Sequence, residues 1–475
     1  MTAAHAIVRA AGPVAVTSGP RPLQDLVARY SRPVPRYTSY PTAPQFGPQV
    51  DGEVYAGWLA ALPDGARASI YLHVPFCAEL CLYCGCNTSV ARRYTPVAAY
   101  AERLRTEIAR VAALIPGRLK VSHLHWGGGT PTLLSGADMI AIMADIRTHF
   151  DVDADAELAI EVDPRVLSDE MVAALAASGL TRASLGVQDF DPAVQEAIGR
   201  HQSFEETEKA AKALRAAGVG SLNLDLIYGL PHQTVASVLE TVRTALALAP
   251  DRIAVFGYAH VPWMKKHQAL IPEQSLPGAA ERLAQAQAIT ALLEAEGYVA
   301  IGLDHFARPD DAMARRAGEG TLRRNFQGYT TDDAPILLGF GASAIGMLPQ
   351  GYVQNLPATP AWHAALEAGR LPIARGLALT AEDRLRRDVI ERLMCDGEVD
   401  LAAVLDRHGF PADTFAAEIT RLAALEADGL VARTDAVLTV PAPARIFTRT
   451  VAAVFDAYLP AQENAAGPKR HAAAI

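Results

Sequence analysis

Cys77, Cys81 and Cys84 stand at the spacing C-x3-C-x2-C, with Cys86 two residues further on, in the run YLHVPFCAELCLYCGC over residues 71–86. Three thiolates within eight residues can converge on one metal site. In an iron–sulfur cubane they ligate three irons and leave the fourth open to hold a small molecule and act on it. A fully ligated cluster only carries electrons. The bland alternative is zinc, which wants a fourth Cys or His, and C-x3-C-x2-C-x-C is not a usual zinc arrangement. Cys395 stands alone and reads as a small buried hydrophobe.

Trp126-Gly-Gly-Gly-Thr-Pro-Thr132 is the second signal. Three glycines after a strand let backbone approach a ligand closely and present N–H and C=O groups to it; alone, the run is as readily a tight turn. Glu161 and Asp225 each close an apolar run, where a carboxylate is placed to accept hydrogen bonds from ribose hydroxyls. The competing reading is a helix N-cap, which suits Asp163 before Pro164 better than it suits Glu161. Gln188 and Arg200 follow the next strand, and each alone is more often surface polarity than function.

The elements that must position these residues alternate. The strand candidates are 69–74, 121–126, 157–162, 182–187, 222–228 and 252–258, separated by helical patterns over 96–114, 137–150, 204–217 and 235–249. Repeated strand–helix units mean a parallel sheet with right-handed crossovers. Cys77, Gly127–Gly129, Glu161, Gln188, Asp225 and Ala259 all fall at or just past the strands' C-terminal ends, the edge that carries chemistry in such folds. That favours an α/β fold with an incomplete parallel (β/α) barrel; an open doubly wound sheet is the alternative. Residues 1–50 are Pro-rich and read as a mobile N-terminal arm and possible lid. Residues 51–370 form the catalytic domain, 371–460 a smaller mainly helical domain with a β-wing near 430–440, and 461–475 a tail expected to be disordered.

The chain has 475 residues, half of them hydrophobic, enough for a large core. With 43 basic against 52 acidic residues the net charge is −9, which argues against non-specific nucleic-acid binding. No apolar run is long enough to span a bilayer, and the first twenty residues lack a compact apolar stretch, so a cytoplasmic protein without membrane attachment is expected. Four of five cysteines crowded into ten residues favour metal over a disulfide framework.

The cysteine motif, Tyr83 before its third cysteine and the Gly-Gly-Gly-Thr-Pro run resemble the radical S-adenosylmethionine superfamily. More narrowly, residues 25–450 resemble the oxygen-independent coproporphyrinogen III oxidases. The resemblance rests on Cys84-Gly-Cys86, Pro35–Thr42, Tyr258–Trp263, Asp304–Pro309 and Arg324–Thr330. It implies that Cys77, Cys81 and Cys84 ligate a 4Fe–4S cluster whose open iron takes one S-adenosylmethionine, lined by Tyr71, Gly128, Glu161 and Ile345. A second S-adenosylmethionine would meet Tyr83, Gly129, Thr130, Gln188, Arg200, Asp225 and Ala259. Cys86 matches a family position outside the ligand set; with Tyr83 it is a candidate catalytic residue.

The implied reaction is oxidative decarboxylation of two propionates of coproporphyrinogen III to vinyl groups, by hydrogen abstraction with a 5′-deoxyadenosyl radical. It needs a one-electron reductant such as flavodoxin or ferredoxin, and a monomer is expected. Four substrate carboxylates call for cations; Arg36, Lys265, Lys266, Arg308, Arg323 and Arg324 are candidates, each as readily solvated surface charge. His260 and His305 are candidates for orienting the substrate, and Tyr37 and Tyr40 for closing over it. The rival readings are a haem-binding relative without turnover, a radical methyltransferase that opens haem, and a plain electron carrier.

Overall fold

A computed structural model describes residues 23–30 and 33–459 of the chain. The expected tail and the first 22 residues of the arm lie outside the described residues. Six strands come first and carry the site: β1 (Arg67–Val74), β2 (Lys120–Gly128), β3 (Asp151–Val162), β4 (Arg182–Gln188), β5 (Ser221–Tyr228) and β6 (Arg252–Gly257). They continue into β7 (Val299–Ile301), β8 (His305–Ala307), β9 (Ile336–Phe340), β10 (Ile345–Leu348), β11 (Gly351–Asn355) and β12 (Ile373–Ala378). All twelve form one sheet in the order β12-β11-β10-β9-β1-β2-β3-β4-β5-β6-β8-β7. The seven from β9 to β6 run parallel; both ends of the sheet are finished by antiparallel strands. The first and last strands are not paired, so the barrel is incomplete, as expected, and open.

The strands carry apolar rows at a period of two. Ile70, Leu72 and Val74 on β1, Leu124 and Trp126 on β2, and Leu158, Ile160 and Val162 on β3 are buried in a single large apolar core under the helices. Each such side chain contributes about 1.5–3 kcal/mol of burial, which locks the register, since a slip by one residue would turn the whole row outward. The residues between them are Tyr71 and His73, His123 and His125, and Glu157 and Glu161. Period two therefore sends one polar row to the opposite face, and that face holds the site.

One polar group sits inside the apolar core. Glu107, on the helix Thr95–Ala112, accepts from Gly341 N (2.8 Å), Asn355 Nδ2 (2.6 Å) and Trp362 Nε1 (3.2 Å), tying β9 and β11 to the helix layer. Burial, against these hydrogen bonds, raises its pKa from 4.5 to about 7. A carboxyl whose folded pKa is raised gives stability that is complete below its unfolded pKa and is lost as pH rises through the folded one. Stability is therefore expected to decline from about pH 4.5 to pH 7 through this group, and Glu107→Gln to flatten that decline in melting temperature against pH. An unchanged slope would refute the assignment.

The second unit begins at the helix Ala381–Asp396. Thr380 caps it in a reciprocal box with Asp383, and Gly397, at φ 70°, ends it. Helices Leu401–His408 and Ala416–Ala427 and a small sheet of Glu398–Asp400, Val437–Thr439 and Ala432–Thr434 complete it, the last two strands being the expected wing. β12 pairs with β11, so the main sheet runs to Ala378, eight residues past the boundary expected from composition.

The described part of the arm is not a free lid. Leu26, Val27, Tyr30, Val34, Tyr37 and Tyr40 are buried in the apolar cluster of the second unit. Tyr37 Oη donates to Asp456 (2.9 Å), and Tyr40 Oη accepts from Ala457 N (3.0 Å). These aromatics are packed there, and Tyr37 and Tyr40 also line a cavity beside Arg323 and Arg324.

Candidate active site

Pro75 follows the last residue of β1, and Phe76–Cys77 turns aside to pair in parallel with Ser89–Val90. The cysteine loop is thus pinned at both ends, with Ala91 N donating to Cys77 O (3.0 Å) and Ser89 N to Pro75 O (2.7 Å). Within it, Cys84 N donates to Cys81 O (3.2 Å). Among the described residues no three His, Cys, Asp or Glu side chains converge to the spacing of a single metal ion. A cubane, whose ligated irons lie apart, takes a wider triangle of thiolates than a single ion does.

The thiols sit in unlike surroundings. Burial pushes Cys77 up to about 11, against a hydrogen bond from Thr130. Cys84 is drawn down to about 6, first by its hydrogen bond with Cys86 and then, against burial, by Cys86 N and the nearby Lys265 and His267. The same bond pushes Cys86 up. Two guanidiniums approach Cys81: Arg200 Nη1 at 3.6 Å and Arg165 Nη2 at 4.0 Å. Both are held by Asp163, which takes Arg165 Nη2 at 2.7 Å and Arg200 Nη2 at 3.2 Å. Positive groups around thiolates favour the deprotonated, ligating form. The donor set therefore fits a cluster held by Cys77, Cys81 and Cys84, with Cys86, exposed, beside it.

The glycine run braces this loop. Gly129 N donates to Val74 O (2.8 Å) and Thr130 N to Phe76 O (2.7 Å). A Cβ on Gly129 would lie 2.5 Å from Phe76 O, and one on Gly128, at φ 112°, 2.6 Å from the His73 ring. Glycine is required at both positions by close packing, which raises the run above an ordinary turn.

Glu161 is at the heart of the polar face. It accepts from Gly128 N (3.0 Å) and lies 3.3 Å from His125 Nε2. Burial would raise its pKa, but the His125 hydrogen bond and charge, with Gly128 N, hold it below the usual range. Of its side chain, 40 % remains accessible. Tyr71 stacks on His125 at 6.0 Å and bonds His73 Nδ1 through its hydroxyl (3.0 Å). Across β1, Tyr71 is level with Gly339, where a Cβ would lie 2.6 Å from Ile345 O. The four residues expected around one S-adenosylmethionine, Tyr71, Gly128, Glu161 and Ile345, thus share one end of the sheet.

The second expected group divides. Gln188 holds φ +71° at a bulge of β4, a conformation costing a side-chain-bearing residue about 1–2 kcal/mol. Asp225 accepts from Ser184 Oγ and Asn223 Nδ2, each at 2.8 Å, and Ala259 is half-buried just past β6. Tyr83 packs in an apolar cluster with Val194, Ile198, Leu230, Tyr258 and Ile271. Burial pushes its phenol well up.

Sequence reasoning missed several residues. Asp163 does cap the turn that follows, as expected, but it also clamps Arg165 and Arg200. Beyond β6, Lys265 Nζ donates to Cys86 O (2.7 Å), His267 Nε2 lies 2.7 Å from Cys84 O, and Gln268 Nε2 donates to Tyr83 O (2.8 Å). Lys265 therefore holds the cysteine loop instead of presenting its charge as a free cation, and Gln268, fully buried, is the anchor of this clamp. Gln268→Ala is expected to speed iron loss from the loaded protein to a chelator by about tenfold; an unchanged rate would dismiss the clamp. Arg308 lies over Tyr298 and donates to Pro250 O, and Arg323 pairs with Glu391, so neither faces the cysteine loop.

Comparison with known proteins agrees with this geometry. The radical SAM superfamily profile matches residues 71–245, and that of the HemN C-terminal domain residues 379–447. The oxygen-independent coproporphyrinogen III oxidase of Bradyrhizobium diazoefficiens is 55 % identical over 92 % of this chain and 97 % of its own length. That of Paracoccus denitrificans is 47 % identical over 90 % and 94 %. The solved structure of coproporphyrinogen III oxidase (HemN) from Escherichia coli, described as a radical SAM enzyme, superposes with a TM-score of 0.86. It is 40 % identical, over 89 % of this chain and 98 % of that one. With the cysteine loop, the glycine brace and the C-terminal unit all matched, this chain belongs to the oxygen-independent coproporphyrinogen III oxidase family of radical SAM proteins.

Proposed function

We propose that this chain carries out the oxygen-independent oxidative decarboxylation of two propionates of coproporphyrinogen III to vinyl groups, giving protoporphyrinogen IX in porphyrin biosynthesis. The observation that carries it is the joining of the three-thiolate loop to Glu161 and a glycine brace at one end of the sheet, in a chain 55 % identical to a protein of that name. A 4Fe–4S cluster with bound S-adenosylmethionine would supply one-electron reduction and a carbon radical able to take a hydrogen atom from a propionate β-carbon.

The protein's own share is binding, orientation and exclusion of water. Cys77, Cys81 and Cys84 would hold the cluster, with Arg165 and Arg200 offsetting charge near Cys81. Glu161 would accept from the ribose hydroxyls, Gly128 would admit the amino-acid end closely, and Tyr71 and Ile345 would flank it. Gln188, Arg200, Asp225, Thr130, Gly129, Ala259 and Tyr83 would line a second S-adenosylmethionine; the strained Gln188 backbone supports a ligand there. Cys86, hydrogen-bonded with Cys84 but outside the ligand set, would act beside the cluster. A flavodoxin or ferredoxin would deliver the electron to a cytoplasmic monomer. Among the described residues no helix is long and apolar enough to cross a membrane.

The test is anaerobic turnover of reconstituted protein with dithionite, S-adenosylmethionine and coproporphyrinogen III, read by mass. Loss of two carbon dioxides with 5′-deoxyadenosine formed is the expected result. Tight haem binding without either product would move the reading to a haem-binding relative.

A further inference from the structure

Glu161 has one hydrogen-bond donor on each oxygen, and both donors come from β2. Gly128 N lies 3.0 Å from Oε2, and His125 Nε2 lies 3.3 Å from Oε1. A carboxylate offers about four acceptor positions, so one donor per oxygen leaves at least one position free on each. Two neighbouring hydroxyls can take those positions, one to each oxygen. The carboxylate serves both at once only while its plane is held. Gly128 N is backbone and is fixed by the sheet. His125 is the side-chain half of the grip.

The register of the sheet sets this up. Tyr71 on β1 is level with His125, and His125 is level with Ala159 on β3. Glu161 is the next residue along β3 on the same face as Ala159, so the imidazole meets it on the diagonal. Gly127 leaves the room: a Cβ there would lie 2.8 Å from Glu161 Oε1 and 3.0 Å from Tyr71 Cε2. The imidazole itself is held firmly. Its side chain is 13 % accessible, and Tyr71 stacks on it with ring centroids 6.0 Å apart and planes 18° from parallel. Glu161 is its one hydrogen-bond partner among the described residues, and its Nδ1 is buried without any. A buried N–H without an acceptor is rarer than a lone pair without a donor, so the proton belongs on Nε2, facing the carboxylate. A ring wanted for packing alone would carry no orphaned nitrogen, because phenylalanine fills the same space without that cost.

We infer that His125 is a positioning residue for S-adenosylmethionine: through its one hydrogen bond it holds the Glu161 carboxylate in the plane that receives both ribose hydroxyls. The inference rests on the proposed function, in which Glu161 takes the ribose, and extends it to a side chain that acts through Glu161 and not on the cofactor itself. It accounts for three features that the sheet alone does not need: a polar ring with one orphaned nitrogen, a tyrosine stacked on it, and a glycine where a Cβ would push the carboxylate away. Fixing the ribose also fixes the 5′-carbon that the reaction uses, so a loosened carboxylate costs affinity and alignment together.

The test is equilibrium dialysis with S-adenosylmethionine, anaerobic and without reductant, on cluster-loaded protein of equal iron content. Cluster-free protein is the blank, so the difference reports the molecule held at the open iron. Unaltered protein is compared with His125→Phe, which keeps the stack and loses the donor, and with His125→Gln, whose amide N–H reaches where Nε2 stood. Phenylalanine is expected to raise the dissociation constant about tenfold, and glutamine to restore most of the loss. In a Glu161→Ala background phenylalanine should add less than about twofold, because the group that His125 acts through is gone. General misfolding would produce neither the rescue nor that loss of additivity. If the phenylalanine variant loads no cluster, His125→Asn, too short to reach the carboxylate, takes its place in the same comparison. Unchanged affinity in the donor-less variant, a glutamine no better than it, or the full loss repeated without Glu161 would overturn the positioning role while leaving the decarboxylase reading intact. Absence of cluster-dependent binding in unaltered protein would overturn both.

Discussion

Alanine at Cys77, Cys81 or Cys84 is expected to abolish decarboxylation, lowering turnover by at least about 10⁴-fold, because the radical chemistry has no other source in the chain. Iron content should fall with it, since two thiolates cannot hold what three hold. Cys86→Ala is the informative contrast. Cys86 is exposed and donates its backbone N–H to Cys84 Sγ at 3.4 Å, so it supports a ligand without being required as one. Iron should stay bound in that variant while turnover drops. Losing Cys86 also removes the largest influence drawing the Cys84 thiol down to about 6, so iron loading of the variant should become more dependent on high pH. Iron loss in Cys86→Ala as complete as in the other three would move Cys86 into the ligand set and return zinc-like four-cysteine sites to contention.

Gly129→Ala is expected to have the next largest effect, although the change is a single methyl. The added Cβ would meet Phe76 O at 2.5 Å, Phe76 C at 2.9 Å and Phe76 N at 3.0 Å, all backbone atoms with no rotamer to yield. Relief requires moving the turn after β2 away from the segment that carries Cys77, breaking the bonds from Gly129 N and Thr130 N. A displacement of about 1 Å at a reacting site costs on the order of 100-fold in rate. The expected result is a folded protein with circular dichroism near normal, low iron and turnover reduced by about that factor. Gly85→Ala is the control, because a Cβ there has nothing within 4 Å. Full activity in Gly129→Ala would mean that the brace is dispensable.

Much of this was written locally. The C-x3-C-x2-C spacing, the glycine run and the six strands with their period-two apolar rows depend on neighbours within a few residues, and the strands lie within a few residues of where they were expected. Glu161 and Asp225 were legible for the same reason: a carboxylate that interrupts an apolar strand must be paid for by function or by a partner. The alternation also sends His123 and His125 to the polar face, a signal available in the sequence for the stacking partner of Tyr71.

Only the tertiary structure decided the rest. Gln268 meets Tyr83 across 185 residues, Lys265 meets Cys86 across 179, and Arg324 meets the Arg36 carbonyl across 288. No local pattern encodes such pairs, and an arginine that ties two distant segments looks, in sequence, like one that faces solvent. Tyr37 and Tyr40 read as lid residues because Pro-rich segments without periodicity usually lie loose. They are buried because the second unit offers an apolar cluster large enough to repay the entropy of ordering them. By itself the sequence determined the chemistry that the loop can hold and the strands that present it. Packing between distant segments decided which cations hold the loop and where the arm lies, because those choices depend on contacts that exist only once the chain has folded.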